Sequence, residues 1–104
     1  MTGAGDVEAV VRLRPPQRDE YGDPVPGSGG ELVIANCLFA PGPSAEMLNG
    51  ATQVDTDGTV YAPPGADVLA TDRLRIRGEI YEVSGRPRHW GNAGVEIVVK
   101  LVTG

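Results

Sequence analysis

The residues able to do chemistry in this chain are few and scattered. There is one cysteine, Cys37, and one histidine, His89. A thiol nucleophile needs a nearby base or a positive field to ionise it. His89 lies in a segment bounded by Pro87 and Gly91, and Cys37 lies within the apolar run Leu32 to Phe39. Cys37 therefore reads as a small hydrophobe on the same side of its strand as Val33, Ala35 and Phe39. Acidic groups gather in two places. Asp19, Glu20 and Asp23 sit in a Pro- and Gly-rich stretch that lacks the rigidity to hold a general acid and base in register. Asp55-Thr56-Asp57-Gly58 touches a calcium-loop pattern, but Gln53 takes the preceding ligand position and Pro64 stands where the closing Glu belongs. Gly3-Ala4-Gly5 has no strand before it, so it does not read as a nucleotide loop. Neither a Gly-x-Ser-x-Gly elbow, nor a Gly-Lys-Ser/Thr phosphate loop, nor paired His ligands occur. The expectation is no catalytic residue, no metal and no cofactor.

A chain without a reactive constellation works through its surfaces, and the elements that shape them are strands. Leu74 and Ile76 alternate with Arg73, Arg75 and Arg77, then Ile80, Tyr81 and Val83 follow Gly78. Period-two alternation on both sides of a Gly predicts a hairpin. A two-residue Arg77-Gly78 turn sets Leu74 opposite Tyr81 and Arg73 opposite Glu82, an apolar pair on one face and an ion pair on the other. Arg is unfavourable at the first position of a type I′ turn, so a Gly bulge with a shifted register stays open.

Upstream, Val7, Ala9, Val11 and Leu13 alternate with Glu8, Val10, Arg12 and Arg14, which predicts a half-buried strand ended by Pro15-Pro16. Pro15 to Gly30 holds four Pro and four Gly, so an irregular exposed loop is expected there, either a spacer or a docking arm carrying Tyr21. Leu32 to Phe39 is apolar at nearly every position except Asn36, which predicts a central strand covered on both faces. Pro41 to Gly58 breaks the rhythm, with Ser44 able to cap one helical turn that Asn49-Gly50 stops. Asp57-Gly58 is a hairpin signal that would set Val54 across from Tyr61. Pro63-Pro64-Gly65 ends the strand that follows. Near the C-terminus, Val95, Ile97, Val99 and Leu101 line one face of a last strand, with Glu96 and Lys100 on the other, and pairing of this strand to the first would close the sheet.

With 104 residues, this is one domain with one modest core. Fifteen Gly and nine Pro interrupt the chain too often for long helices. The class expected is all-β, a small SH3/OB-like β-barrel of about six strands with long loops at 15–30 and 41–58, at most one short helical turn, and a disordered stretch over residues 1–6. A net charge of -5 argues against a surface built to grip phosphates. A single cysteine excludes an internal disulfide, no apolar run approaches the roughly 20 residues of a membrane helix, and no basic and apolar leader is present. A protein made in a reducing cytosol is the default. Arg86, Arg88, His89 and Trp90 form the one basic aromatic segment, with Trp90 expected to fold back over a barrel end. Stacking on nucleic acid and anchoring an interface are the alternatives.

The sequence resembles a known family along nearly its whole length. An apolar strand ending in Ala40-Pro41, a variable segment, Val60-Tyr61-Ala62-Pro63-Pro64-Gly65-Ala66-Asp67-Val68, Asp72-Arg73-Leu74, Arg77-Gly78-Glu79-Ile80-Tyr81-Glu82-Val83 and Gly85-Arg86-Pro87 are similar to the head-to-tail joining, or stopper, proteins of long-tailed double-stranded DNA phages. That resemblance implies a structural virion protein, made in the host cytoplasm and placed in the neck, that forms a homo-oligomeric ring, a dodecamer by family. It implies portal and adaptor proteins as partners on one side and tail terminator or tail tube proteins on the other. Packaged double-stranded DNA would run through the channel without sequence-specific binding, and no membrane is involved. The loop that closes the channel in that family corresponds to Pro41 to Gly58, making Ser44, Glu46, Met47, Asn49, Asp55 and Asp57 candidate channel residues. Tyr21, Asp23, Arg86, Arg88, His89 and Trp90 become candidate contacts to neighbours. A tail terminator or other tail-side ring protein is the near alternative, and a monomeric β-barrel binding module the distant one.

Overall fold

The protein was analysed as a computed structural model, which describes residues 7–42 and 56–103. The expected turn at Ser44, the pairing of Val54 and the disorder of residues 1–6 lie outside the described residues. Among the described residues seven strands form: β1 (Val7–Arg14), β2 (Gly30–Pro41), β3 (Gly58–Ala62), β4 (Arg73–Ile76), β5 (Glu79–Val83), β6 (Arg88–His89) and β7 (Val95–Leu101). Every pairing is antiparallel, in the order β3-β2-β1-β4-β5-β7-β6, and a β3–β7 pairing closes the first six neighbours into a barrel. The short β6 is an extra strand beside the start of β7. Closure leaves most of the sheet without open edges.

Of the two registers left open by the sequence, the β4–β5 hairpin takes the two-residue one, Leu74 opposite Tyr81 and Arg73 opposite Glu82. Arg77 and Gly78 both adopt positive φ, 53° and 82°, as a type I′ turn requires. Arg77 tolerates this because its guanidinium is held twice over. It donates to both oxygens of Glu8 at 2.7 to 3.2 Å and lies 5.2 Å from the centroid of the Phe39 ring. Arg73 and Glu82 are both exposed and approach no closer than the 4 Å limit for an ion pair, so only the apolar half of the expected pairing forms.

Several expectations for the other strands are corrected. The last strand does not pair with the first. It lies between β3 and β5, whereas β1 is flanked by β2 and β4. The inward face of β1 is the one that reads as polar: Val10 is buried while Val7 is 59% exposed. Val10 lies at mid-barrel on that side, and Arg12, opposite the buried Leu74, is inward as well with its side chain 11% exposed. Glu8 and Arg14, of the same parity, reach the two barrel ends, where charged partners receive them. Nor is β2 covered on both faces. Ile34, Cys37 and Phe39 are buried, but Val33 is 64% exposed.

A bulge explains the altered parity of β2. Glu8 pairs with Cys37 and Val10 with Ile34, so Ala9 alone faces both Ala35 and Asn36. Asn36 takes φ 61°, a left-handed conformation that Asn accepts more readily than most residues. The extra residue moves Cys37 to the side of Ile34, so it no longer shares a face with Val33 and Ala35.

Asp57-Gly58 is not a hairpin turn either. Gly58 opens β3 and is paired on both sides, to Pro41 and to Val99. Its missing side chain is a packing requirement, because a Cβ there would come within 2.5 Å of the Phe39 ring. The Pro15 to Gly30 segment carries more order than expected. Val25 N–H donates to the Gln17 carbonyl at 2.7 Å and Asp19 N–H to the Asp23 carbonyl at 2.9 Å, around an Arg18–Pro24 bridge. The β1–β2 hairpin thus continues outward as a narrow arm.

The core fills the barrel with Val10, Ile34, Cys37, Phe39, Val60, Leu74, Ile76, Tyr81, Val83, Val95, Ile97 and Val99. Phe39 and Tyr81 meet edge to face, 5.5 Å between centroids. The inward set of β7, Val95, Ile97 and Val99, is the one its alternation announces. Gly94 precedes that strand at φ 110°, and a Cβ on it would sit 2.4 Å from the Ala62 carbonyl oxygen. Gly94→Ala should therefore cost about 2 kcal/mol or more. Urea unfolding measures it, and a loss under about 0.5 kcal/mol, the range of an inert surface change, would contradict this account of the β3–β7 seam.

Candidate interaction surfaces

Strand directions sort the connections onto two ends of the barrel. At one end lie the termini of β1, β3 and β5 and the starts of β2, β4 and β7, so the arm, residues 63–72 and residues 84–94 all emerge there. At the other lie the start of β1, the end of β2, the start of β3, the Arg77-Gly78 turn and the end of β7.

The first end is closed by charge. Asp72 is 1% exposed and receives two parallel bonds from Arg14, Nε to Oδ1 at 3.0 Å and Nη2 to Oδ2 at 2.8 Å. The Leu69 backbone N–H donates to Oδ2 at 2.8 Å. Arg14 also reaches the exposed Asp67, as does Arg12. Bonding to Asp72 first, and to Asp67 second, holds the Arg14 guanidinium even more firmly protonated than usual. The Arg14 contact is in turn the main cause that lowers the Asp67 carboxyl below its ordinary range. Arg12 Nε is buried with no partner among the described residues.

The opposite end is held by the Glu8–Arg77 pair and by Asp57. Asp57 N–H donates to the Val99 carbonyl at 2.9 Å, its Oδ2 accepts from Leu101 N–H at 2.7 Å, and its own carbonyl accepts from Gly42 N–H at 2.8 Å. Of the six candidate channel residues only Asp57 is described, and it acts as the brace where β2, β3 and β7 converge. Ser44, Glu46, Met47, Asn49 and Asp55 lie outside the described residues.

The candidate contact residues are brought to one end. Tyr21 caps the arm at 80% exposure. Its tip is stiffened by Asp19, whose Oδ1 accepts from the N–H groups of Tyr21 and Asp23, and by Arg18, which donates to the Gly22 carbonyl at 2.8 Å. Asp23 is exposed beside it. Arg86 is exposed, and Arg88 and His89 form the exposed β6. Trp90 does not fold back over the barrel. It is 57% exposed, followed by a 3-10 turn at Gly91–Ala93, and its indole N–H donates to Glu96 Oε1 at 3.0 Å.

Sequence reading missed a lateral strip. Val7, Leu38, Tyr61, Glu96 and Arg88 stand directly opposite one another across five strands, with Trp90 bonded to Glu96. Val7, Tyr61 and Trp90 are large apolar residues exposed along it. No local signal marks this row, because it exists only once the registers are set.

Cys37 is fully buried, and its thiol approaches the Ile34 carbonyl at 3.5 Å. Burial, with a smaller contribution from Glu8, pushes the thiol up to about 11. Among the described residues no group of His, Cys, Asp and Glu is placed to hold a metal ion, and no helix is long and apolar enough to cross a membrane. Compared with known proteins, the chain matches no family model and no curated protein.

Two outcomes follow from these geometries. Arg14→Ala strands a buried carboxylate, so it should destabilise the fold by about 3 kcal/mol, measured by denaturant unfolding; a loss below about 1 kcal/mol would mean that water serves Asp72 equally well. For Cys37, an acid whose folded value lies above the unfolded value of about 8.5, the folded state holds a proton that the unfolded state releases. Its contribution is thus constant below about pH 8 and falls as pH rises toward 11. The Cys37→Ala variant should lose that alkaline slope, and thiol reagents should label the folded parent only at its unfolding rate.

Proposed function

We propose that this chain is a structural neck protein of the head-to-tail joining class, forming a ring that retains packaged DNA and gives the tail its docking surface. Its role is non-catalytic. Portal or adaptor proteins and tail proteins are its neighbours, and double-stranded DNA passes through without sequence-specific contact. The observation that best supports this reading is the polarity of the barrel. The β2–β3 connection, the candidate channel segment, leaves and re-enters at one end, where Asp57 braces it. The Tyr21 arm and the Arg86 to Trp90 segment leave from the other.

Such a polarity suits a subunit that must face a channel with one set of loops and neighbours with another. The chemistry of the chain agrees with it. A net charge of -5 keeps a channel wall from adhering to phosphate during ejection, since nonspecific DNA affinity comes from displaced counterions on Lys and Arg. Among the described residues Cys37 and His89 do not converge: Cys37 is buried in the core and His89 is exposed on β6. The lateral strip and the arm supply apolar anchors of the kind that interfaces use.

Removal of residues 45–54, which spares the buried Thr56 and the bracing Asp57, tests the reading. The barrel should remain folded, with a thermal midpoint within a few degrees of the parent, while DNA-filled heads carrying the variant release their DNA to added nuclease. Heads that stay sealed would remove the gate from this segment. Nucleic-acid binding by the isolated chain, with a steep salt dependence, would favour a binding module instead.

A further inference from the structure

At the root of the arm the barrel carries an open cavity of about 530 Å³, lined by Leu13, Pro15, Thr71, Arg14, Arg73 and Glu31. Its charges are unequal in availability. Arg14 is committed to Asp72 and Asp67, and Glu31 lies 3.5 Å from Arg75. Arg73 is exposed and has no carboxylate within ion-pairing distance among the described residues. The cavity is therefore an apolar-sided hollow with one available guanidinium at its edge.

The arm tip has the complementary character. Tyr21 projects at 80% exposure, and the carboxylates of Glu20 and Asp23 beside it are exposed with no cation within 4 Å among the described residues. A tyrosine buries about 150 to 250 Å² and brings a phenolic hydroxyl that tolerates a partly polar pocket. The tip is stiffened before any contact is made, through Asp19 and Arg18, so little ordering is required on docking.

The tip cannot enter the cavity of its own molecule. The two legs of the arm begin beside that cavity, and the Gln17–Val25 and Asp19–Asp23 hydrogen bonds hold them against each other. The seven residue steps from Arg14 to Tyr21 carry the tip roughly 20 Å away at strand spacing. A Tyr21 seated in this cavity would therefore belong to another molecule. We infer that Tyr21 at the arm tip of one copy inserts into the Leu13–Pro15–Arg73 cavity of a second copy, with Glu20 and Asp23 facing Arg73.

The contact is heterologous, arm to socket, so each copy offers both halves and a chain of such contacts either closes into a ring or runs on as a filament. This inference rests on the ring reading above only for closure, since the contact itself is a property of two copies. It also assigns the arm a different neighbour from the adaptor or tail.

Sedimentation of the full chain from micromolar to millimolar concentration tests it. Average mass should rise with concentration in the parent, and Tyr21→Ala or Arg73→Glu should weaken the association at least about tenfold. Both positions are exposed, and unchanged thermal unfolding checks that the barrel is intact. Combining Arg73→Glu with Glu20→Arg and Asp23→Arg in one chain reverses both halves and should restore association, which a misfolded variant would not do. A parent that stays monomeric at millimolar concentration, or variants that associate as the parent does, would overturn the arm-in-socket contact. The two readings separate cleanly. Neck rings that persist with Arg73→Glu keep the neck function and sink the contact, whereas arm-dependent association in a chain that never joins a phage head does the reverse.

Discussion

A buried carboxylate governs how this barrel is finished. Asp72 sits at the entry to β4 with its side chain inaccessible to water, where Arg14, at the end of β1, covers both oxygens and the Leu69 N–H covers one again. Such a pair adds little net stability compared with a well-packed apolar pair of the same volume, but loss of one member is costly. Its effect is to specify geometry. It fixes where the β3–β4 connection crosses the barrel end, and it sets the position at which β1 gives way to the arm. Asp67 and Arg12 extend the same network outward.

The opposite end uses a related device with less burial. Arg77 is forced to positive φ by a two-residue turn, and its side chain is drawn over Phe39 and onto Glu8. Phe39 in turn needs the bare backbone of Gly58 beneath it, so one aromatic ring joins the β4–β5 turn to the start of β3. Bonding to Glu8 keeps the Arg77 guanidinium firmly charged. Between these ends, the β3–β7 seam and the edge-to-face Phe39–Tyr81 contact hold the strands around one small core. Burial, and secondarily Glu79, raises the Tyr81 hydroxyl and keeps that end of the core uncharged.

With both ends fixed, the remaining freedom lies in what the ends and sides present. The arm is a continuation of the barrel's own hairpin, so its aromatic tip is delivered by a braced element instead of a loose loop. The lateral strip of Val7, Leu38, Tyr61 and Trp90 arises from strand register alone.

The amino-acid sequence by itself determined the elements whose signals are local. Alternation around Gly78 set the β4–β5 hairpin but left its register open to a Gly bulge, alternation from Val95 to Leu101 set the buried face of β7, and Pro63-Pro64 set the end of β3. The all-β class followed from the density of Gly and Pro. Only the tertiary structure decided which strands are neighbours, because the β3–β7 closure joins residues whose sequences say nothing of each other. It also decided which face of β1 points inward, since Arg14 meets Asp72 58 positions away and Arg77 meets Glu8 69 positions away. The bulge at Asn36 reversed the expected side of Cys37 for the same reason: one inserted residue changes a period-two pattern, and the pattern does not announce the insertion.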